Sequence, residues 1–118
     1  MTEARKRICF DLDGVLCSLT DGHYESAVPD AEAIELVNAL YDRGFEILIY
    51  TARFMGRNHQ DAAAAYRQGY ELTQRQLQRW GVKYHYLFLG KPAFDLLIDD
   101  RAVFFERNWP KIATAIAG

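Results

Sequence analysis

Asp11 and Asp13 stand two residues apart after the apolar run Ile8-Cys9-Phe10, with Leu12 between them and Gly14 behind. In an extended segment alternate side chains share a face. Both carboxylates then point the same way while Leu12 turns toward a core. Gly14 lets the chain turn sharply. Taken alone, Asp-x-Asp-Gly reads equally well as a turn that closes a strand. A second acidic pair, Asp99 and Asp100, follows the apolar run Phe94–Ile98. By itself that pair reads as a solvated loop start or a helix cap. If both pairs share one cleft, four carboxylates face one another, and like charges that close raise a pKa or recruit a cation. Oxygen ligands without a histidine cluster favour a hard ion, with Mg²⁺ the first candidate. Lys91, in Gly90-Lys91-Pro92, is either a point charge for phosphate or a surface lysine in a turn. Thr51 offers a hydroxyl to a phosphate oxygen, or simply ends a strand. Carboxylate nucleophile, second carboxylic acid, hydroxyl, lysine and Mg²⁺ together describe phosphoryl transfer through an aspartyl-phosphate. The chain has no Gly-x-x-x-x-Gly-Lys-[Ser/Thr] phosphate loop and no Gly-x-Ser-x-Gly elbow, so neither a P-loop nucleotidase nor that type of hydrolase triad is supported.

Short apolar runs alternating with longer amphipathic ones must place these groups. Ile8–Phe10 with Leu12 reads as a first strand, Phe45–Tyr50 as a second, Tyr84–Leu89 as a third and Phe94–Ile98 as a fourth. A helix capped by Asp30 carries Ile34, Val37, Leu40 and Tyr41 at helical spacing and stops at Gly44. A long helix runs from about Asp61 to Trp80, and the tail from Ala102 holds mixed helical signals broken by Pro110. Ser18–Pro29, with Asp21-Gly22, reads as a loop or a small hairpin, and Thr51–Gln60 as a polar loop. Strands alternating with helices imply a mostly parallel sheet covered on both faces, a Rossmann-like α/β/α sandwich. Ligands bind such sheets at the carboxyl ends of the strands. Asp11 and Asp13, Thr51 and Arg53, Lys91, and Asp99 and Asp100 all collect there.

The remaining bounds are set by size and charge. A chain of 118 residues fits one domain, 1–118, able to bury a core without staples. A net charge of -2 argues against a general nucleic-acid face. No apolar run reaches the length of a membrane span. The basic start Met1–Arg7 lacks the apolar stretch of a secretory leader. Two cysteines cannot make a disulfide framework or a four-thiolate zinc site; Cys9 reads as a small buried hydrophobe. A reduced, cytoplasmic setting is expected.

The order Phe10-Asp11-Leu12-Asp13-Gly14-Val15-Leu16, Tyr50-Thr51-Ala52-Arg53, Gly90-Lys91-Pro92 and Leu97-Ile98-Asp99-Asp100 resembles the haloacid dehalogenase superfamily, over residues 8 to about 104. Aspartate at position 13 points to its phosphatase branch. The resemblance implies that Asp11 attacks phosphorus, and that Asp13 serves as general acid, then base, while its backbone carbonyl binds Mg²⁺. Thr51 and the backbone near Ala52 would hold phosphate oxygens. Lys91 would bridge Asp11 and the phosphate. Asp99 and Asp100 would complete the metal site with Asp11 and Asp13, Asp100 directly and Asp99 through water. No stretch is long enough for a cap domain, so the member looks capless, its site open or closed by a neighbouring subunit. Residues 21–29, 38–42 and 51–54 are similar to small phosphatase-like proteins encoded with capsule and lipopolysaccharide biosynthesis enzymes. That similarity makes a phosphorylated carbohydrate precursor the leading substrate class.

Arg53, directly after the second motif, is the first choice for binding substrate, with Arg57, Asn58 and His59 behind it. His23 and Tyr24 either cover the substrate or face solvent. His85 reads as a packed strand histidine, Trp80 and Trp109 as core or interface. Tyr66, Tyr70 and Leu77 read as core or as the face of a homo-oligomer. Two rival functions remain. A polynucleotide 3′-phosphatase shares the capless core but needs a basic channel, which the charge balance disfavours. A catalytically silent metal-binding or regulatory subunit would not need the Asp11/Asp13 pair.

Overall fold

A computed structural model describes residues 6–117, so most of the basic start Met1–Arg7 lies outside the described residues. The elements in order are β1 (Arg7–Asp11), α1 (Ala31–Asp42), β2 (Glu46–Thr51), α2 (Ala62–Arg79), β3 (Tyr86–Leu89) and α3 (Trp109–Ala117). Single 3₁₀ turns at Tyr24–Ser26 and Gly56–Asn58 lie in the loops after β1 and β2.

Local chemistry sets the helix starts. The Asp30 carboxylate accepts from the Ala33 backbone N–H at 3.2 Å, and the Asp61 carboxylate from Ala64 at 3.3 Å, each satisfying an orphan donor of a first turn. Pro110 does not break the tail. It sits in the first turn of α3, where a missing N–H costs nothing.

The three strands are parallel in the order β1-β2-β3, with Phe10, Ile49 and Leu87 in register. Two crossovers of one hand, stepping the same way across a sheet, lay both helices on one face. Phe10, Ile47, Ile49, Leu87 and Leu89 accordingly share one core with Val37 and Leu40 of α1 and Leu77 of α2. Trp109, Ile112 and Ile116 of α3 close the same core.

The opposite face departs from expectation. It carries Cys9, Leu48, Tyr50, Tyr86 and Phe88, which alternate with the core residues. Cys9 is exposed rather than buried. Tyr86 and Phe88 are also exposed, their rings stacked at 5.9 Å. Of the three layers expected, the described residues of one copy supply two.

The fourth strand is also missing. Phe94–Ile98 joins no sheet, and its Phe94, Leu96, Leu97 and Ile98 side chains are exposed. Only Gly90–Ala93 separates it from the end of β3. Parallel strands need a crossover of about a dozen residues or more, so this segment cannot return to the start of its own sheet. Residues 94–104 form an arm instead. At its tip the Asp99 carboxylate accepts from the Arg101 backbone N–H at 2.7 Å.

Candidate active site

Three strand ends meet above the sheet. Asp11 is the last residue of β1 and lies in register with Tyr50, one residue before Thr51. Its Oδ1 accepts from the Leu12 backbone N–H at 2.8 Å. Beyond it the chain turns tightly. Gly14, at φ +87°, donates its N–H to the Cys17 carbonyl at 2.8 Å and allows a turn that few side-chain-bearing residues adopt. Lys91 follows β3 by two residues and extends the ladder, its backbone N–H reaching the Thr51 carbonyl at 3.3 Å. Its ammonium lies 3.5 Å from Asp11 Oδ1. The sequence pairing of Asp11, Thr51 and Lys91 is thus realised.

Burial raises the Asp11 carboxyl above its ordinary range; the Lys91 charge and the Leu12 N–H oppose that, and the Asp13 charge adds to it. The side chain of Lys91 is mostly covered, so this ion pair is less screened than a surface one.

Asp13 is held differently. Arg53 grips it with two parallel bonds, Nε to Oδ2 and Nη2 to Oδ1, both 2.9 Å. Arg53 Nη1 donates to Thr73 Oγ1 at 3.3 Å and to Gln76 Oε1 at 2.5 Å, and Nη2 also reaches Cys17 Sγ at 3.8 Å. The guanidinium lies 4.9 Å from the centre of the Tyr24 ring. All five of its N–H groups are therefore engaged, and the residue is 1% exposed. Arg53 was the expected substrate-binding arginine. Arg53 does line the cleft, but its side chain is buried and its donors are taken, so it positions Asp13. Thr73 and Gln76, which hold it there, went unnoticed in the sequence. The readable signal was two polar residues on the buried stripe of α2, which otherwise carries Ala65, Gly69 and Leu77.

Phe54 explains how Arg53 is turned inward. Its backbone sits at φ +66°, and its ring packs so closely on Gly69 that a Cβ there would lie 2.3 Å from a ring carbon. The Phe54 N–H donates to the Tyr24 hydroxyl at 3.2 Å. Cys17 donates its thiol toward Asp13 Oδ1 at 3.4 Å, and burial, then the Asp13 charge, push that thiol up to about 12. It stays protonated and is no nucleophile at neutral pH.

The cleft over these groups has a volume of about 500 Å³, and Asp11, Asp13, Thr51, Ala52, Tyr24 and Arg57 are among the residues that line it. Thr51 Oγ1 accepts the Arg53 backbone N–H at 3.1 Å, which leaves the hydroxyl proton free to donate. The Thr20 hydroxyl oxygen is buried at the cleft without a hydrogen-bond partner among the described residues, a second donor that the sequence reading did not name. Arg57 is exposed at the rim and donates to the Gly22 carbonyl at 2.6 Å. His23 and His59 are exposed, and Asn58 is tied to Gln68. His85 packs against Tyr41 and accepts the Ile47 N–H at Nδ1.

Asp99 and Asp100 do not join the site; they stand at the tip of the exposed arm. Among the described residues no three His, Cys, Asp or Glu side chains gather as a metal site. One copy offers a hard cation the Asp11 carboxylate and the Asp13 backbone carbonyl, while both Asp13 carboxylate oxygens are committed to Arg53. That donor set does not by itself fit the expected Mg²⁺ site.

No family model matches the chain, and no curated protein does either. Among solved structures, it is similar to a crystal structure of a structural-genomics target protein from Vibrio cholerae, at 28% identity and a TM-score of 0.79, over 95% of this chain and 97% of that one. The likeness runs through nearly the whole of both chains, so the α/β arrangement described here is one that this chain shares with a crystallised protein.

Proposed function

We propose that the protein is a phosphate monoester hydrolase with Asp11 as nucleophile. One observation carries the reading: a half-buried carboxylate at the end of β1 meets a lysine from the end of β3, beside a threonine that ends β2 and an aspartate two residues on. Asp11 Oδ1 is held by Leu12 and Lys91, which leaves Oδ2 to attack phosphorus. The new Oδ2–P bond forms as the P–O bond to the alcohol breaks, and Asp13 gives the leaving oxygen its proton. Water then attacks phosphorus, Asp13 takes its proton, and the Oδ2–P bond breaks to return the Asp11 carboxylate and free phosphate. Lys91 and the Thr51 hydroxyl offset charge on the phosphoryl oxygens, with the Ala52 backbone beside them. Arg53 fixes the Asp13 carboxylate at the cleft through its two parallel bonds. The residues of a single chain do not assemble the ligands of the Mg²⁺ that the resemblance implies, so these steps are written for the chain's own groups.

The leading substrate class is a small phosphorylated carbohydrate. An open cleft of this size, with Arg57 and the Thr20 hydroxyl at its wall, suits a polyhydroxylated ester. Phosphate release from a panel of sugar phosphates, nucleotides and DNA 3′-phosphate ends, with and without Mg²⁺, tests the reading. Release that falls at least ~10³-fold in Asp11→Asn is expected. No release from any ester, or release indifferent to Asp11→Asn, would overturn it. Activity confined to DNA ends and falling steeply with salt would move the assignment to a polynucleotide phosphatase.

A further inference from the structure

Three features of one copy are incomplete in complementary ways. The arm holds Phe94, Leu96, Leu97, Ile98, Val103 and Phe104 in solvent, with Ile98 at 91% and Phe104 at 90% exposure. Soluble chains seldom leave so continuous an apolar stretch uncovered. The outer edge of β1 has no neighbouring strand among the described residues, and an open edge is a template for a further strand. The face that carries Cys9, Tyr86 and Phe88 lacks a covering layer.

We propose that two copies exchange arms: Phe94–Ile98 of each pairs in parallel with the open edge of the other's β1 and brings Asp99 and Asp100 to that copy's Asp11 cleft. The course of the arm decides between self and second copy. Its root is tied at the site end of the sheet, where Ala93 exchanges two 2.9 Å bonds with the Gln60 side chain. Its return is tied there too, where Arg107 donates to the Gly14 carbonyl at 3.2 Å and pairs with Asp30. Both anchors lie at the same end, and the turn at Asp99–Arg101 is the tip. Laid on its own β1, the arm would run downward, antiparallel. Five residues at about 3.3 Å each would carry the tip roughly 17 Å from Asp11. A second copy set alongside with its sheet reversed starts its arm at the far end of β1, runs it upward in parallel, and ends its tip at Asp11 and Asp13. Residues 101–106 are then long enough to return. A two-fold axis makes the exchange reciprocal, so each cleft receives the acidic pair that one copy cannot supply itself.

The proposal rests on the phosphatase reading, which is what calls the acidic tip to Asp11, and its tests are chosen so that the exchange and that reading can fail separately. Light scattering on the purified full chain should give about twice the 13.6 kDa of one copy. Aligning Asp100 with Asp13 aligns Leu96 with Cys9. Mild oxidation of Leu96→Cys should then yield a covalent dimer on a non-reducing gel, absent in the unaltered chain and in Cys9→Ser combined with Leu96→Cys. A monomer with free thiols, or an internal disulfide within one chain, overturns the exchange. Turnover supplies the third readout. Asp11→Asn and the double variant Asp99→Asn with Asp100→Asn, co-expressed, should recover about a quarter of unaltered turnover, since half the dimers hold one complete cleft. Failure to recover any turnover while the unaltered chain is active overturns the delivery of the carboxylates. A trapped dimer that hydrolyses nothing upholds the exchange and removes the phosphatase reading.

Discussion

Residues 8–13 and 96–100 are written alike, each an apolar run that gives way to a pair of carboxylates. The first becomes the end of a paired strand, with Asp13 clamped by a buried arginine and Asp11 met by a lysine. The second hangs in solvent with an Asx turn at its tip. Composition does not separate them. What separates them is the route to a neighbour. β1 finds β2 through the long crossover of α1, whereas four residues after β3 leave the arm no parallel return to its own sheet. Propensity proposes a strand; chain length decides whether it has a partner.

That contrast is sharpest at Arg53, whose loss should have the largest effect. Arg53→Met leaves the Asp13 carboxylate unpaired above a partly polar core and should cost about 3 kcal/mol in urea unfolding, independent of protein concentration. A comparable arm substitution such as Leu97→Ser should instead alter unfolding in a way that depends on concentration. Equal behaviour of the two would erase the distinction. Next comes Gly69→Ala. The added methyl meets the Phe54 ring, so the overpacking should exceed the helix-propensity gain and destabilise by ~1–3 kcal/mol. Turnover should fall with it, because Phe54 sets the course of Arg53; a stable, fully active variant would show that this end of the molecule is looser than described.

The smallest effect concerns Asp11 and has a definite sign. Burial raises its carboxyl, so the ionised form is held at a cost in the folded state. The folded chain then binds this proton more tightly than the unfolded chain does, and the penalty fades as pH falls from the raised value toward the ordinary 3.8. Asp11→Asn should melt slightly higher than the unaltered chain at neutral pH, with the gap closing in acid. A gap that widens in acid would mean that Lys91 outweighs burial.

Much of this was readable from the residues. Asp30 as a cap, a long helix starting near Asp61, the strand over Glu46–Thr51 and the meeting of Asp11, Thr51 and Lys91 are local or nearly local signals. The direction of Arg53 was not, because it depends on Thr73 and Gln76, one helix away. Cys9 misled for a related reason. Its apolar neighbours suggest burial, yet alternation sets it opposite Phe10, on the face that one copy leaves bare.

Trp109 stands where the arm rejoins the body. Its ring lies 5.5 Å from that of Phe105, and its indole N–H is buried without a hydrogen-bond partner among the described residues. An indole in such dry surroundings emits toward the blue and shifts red when water reaches it. The protein thus carries a native fluorophore at the foot of the arm, one that reports optically whether that hinge is seated.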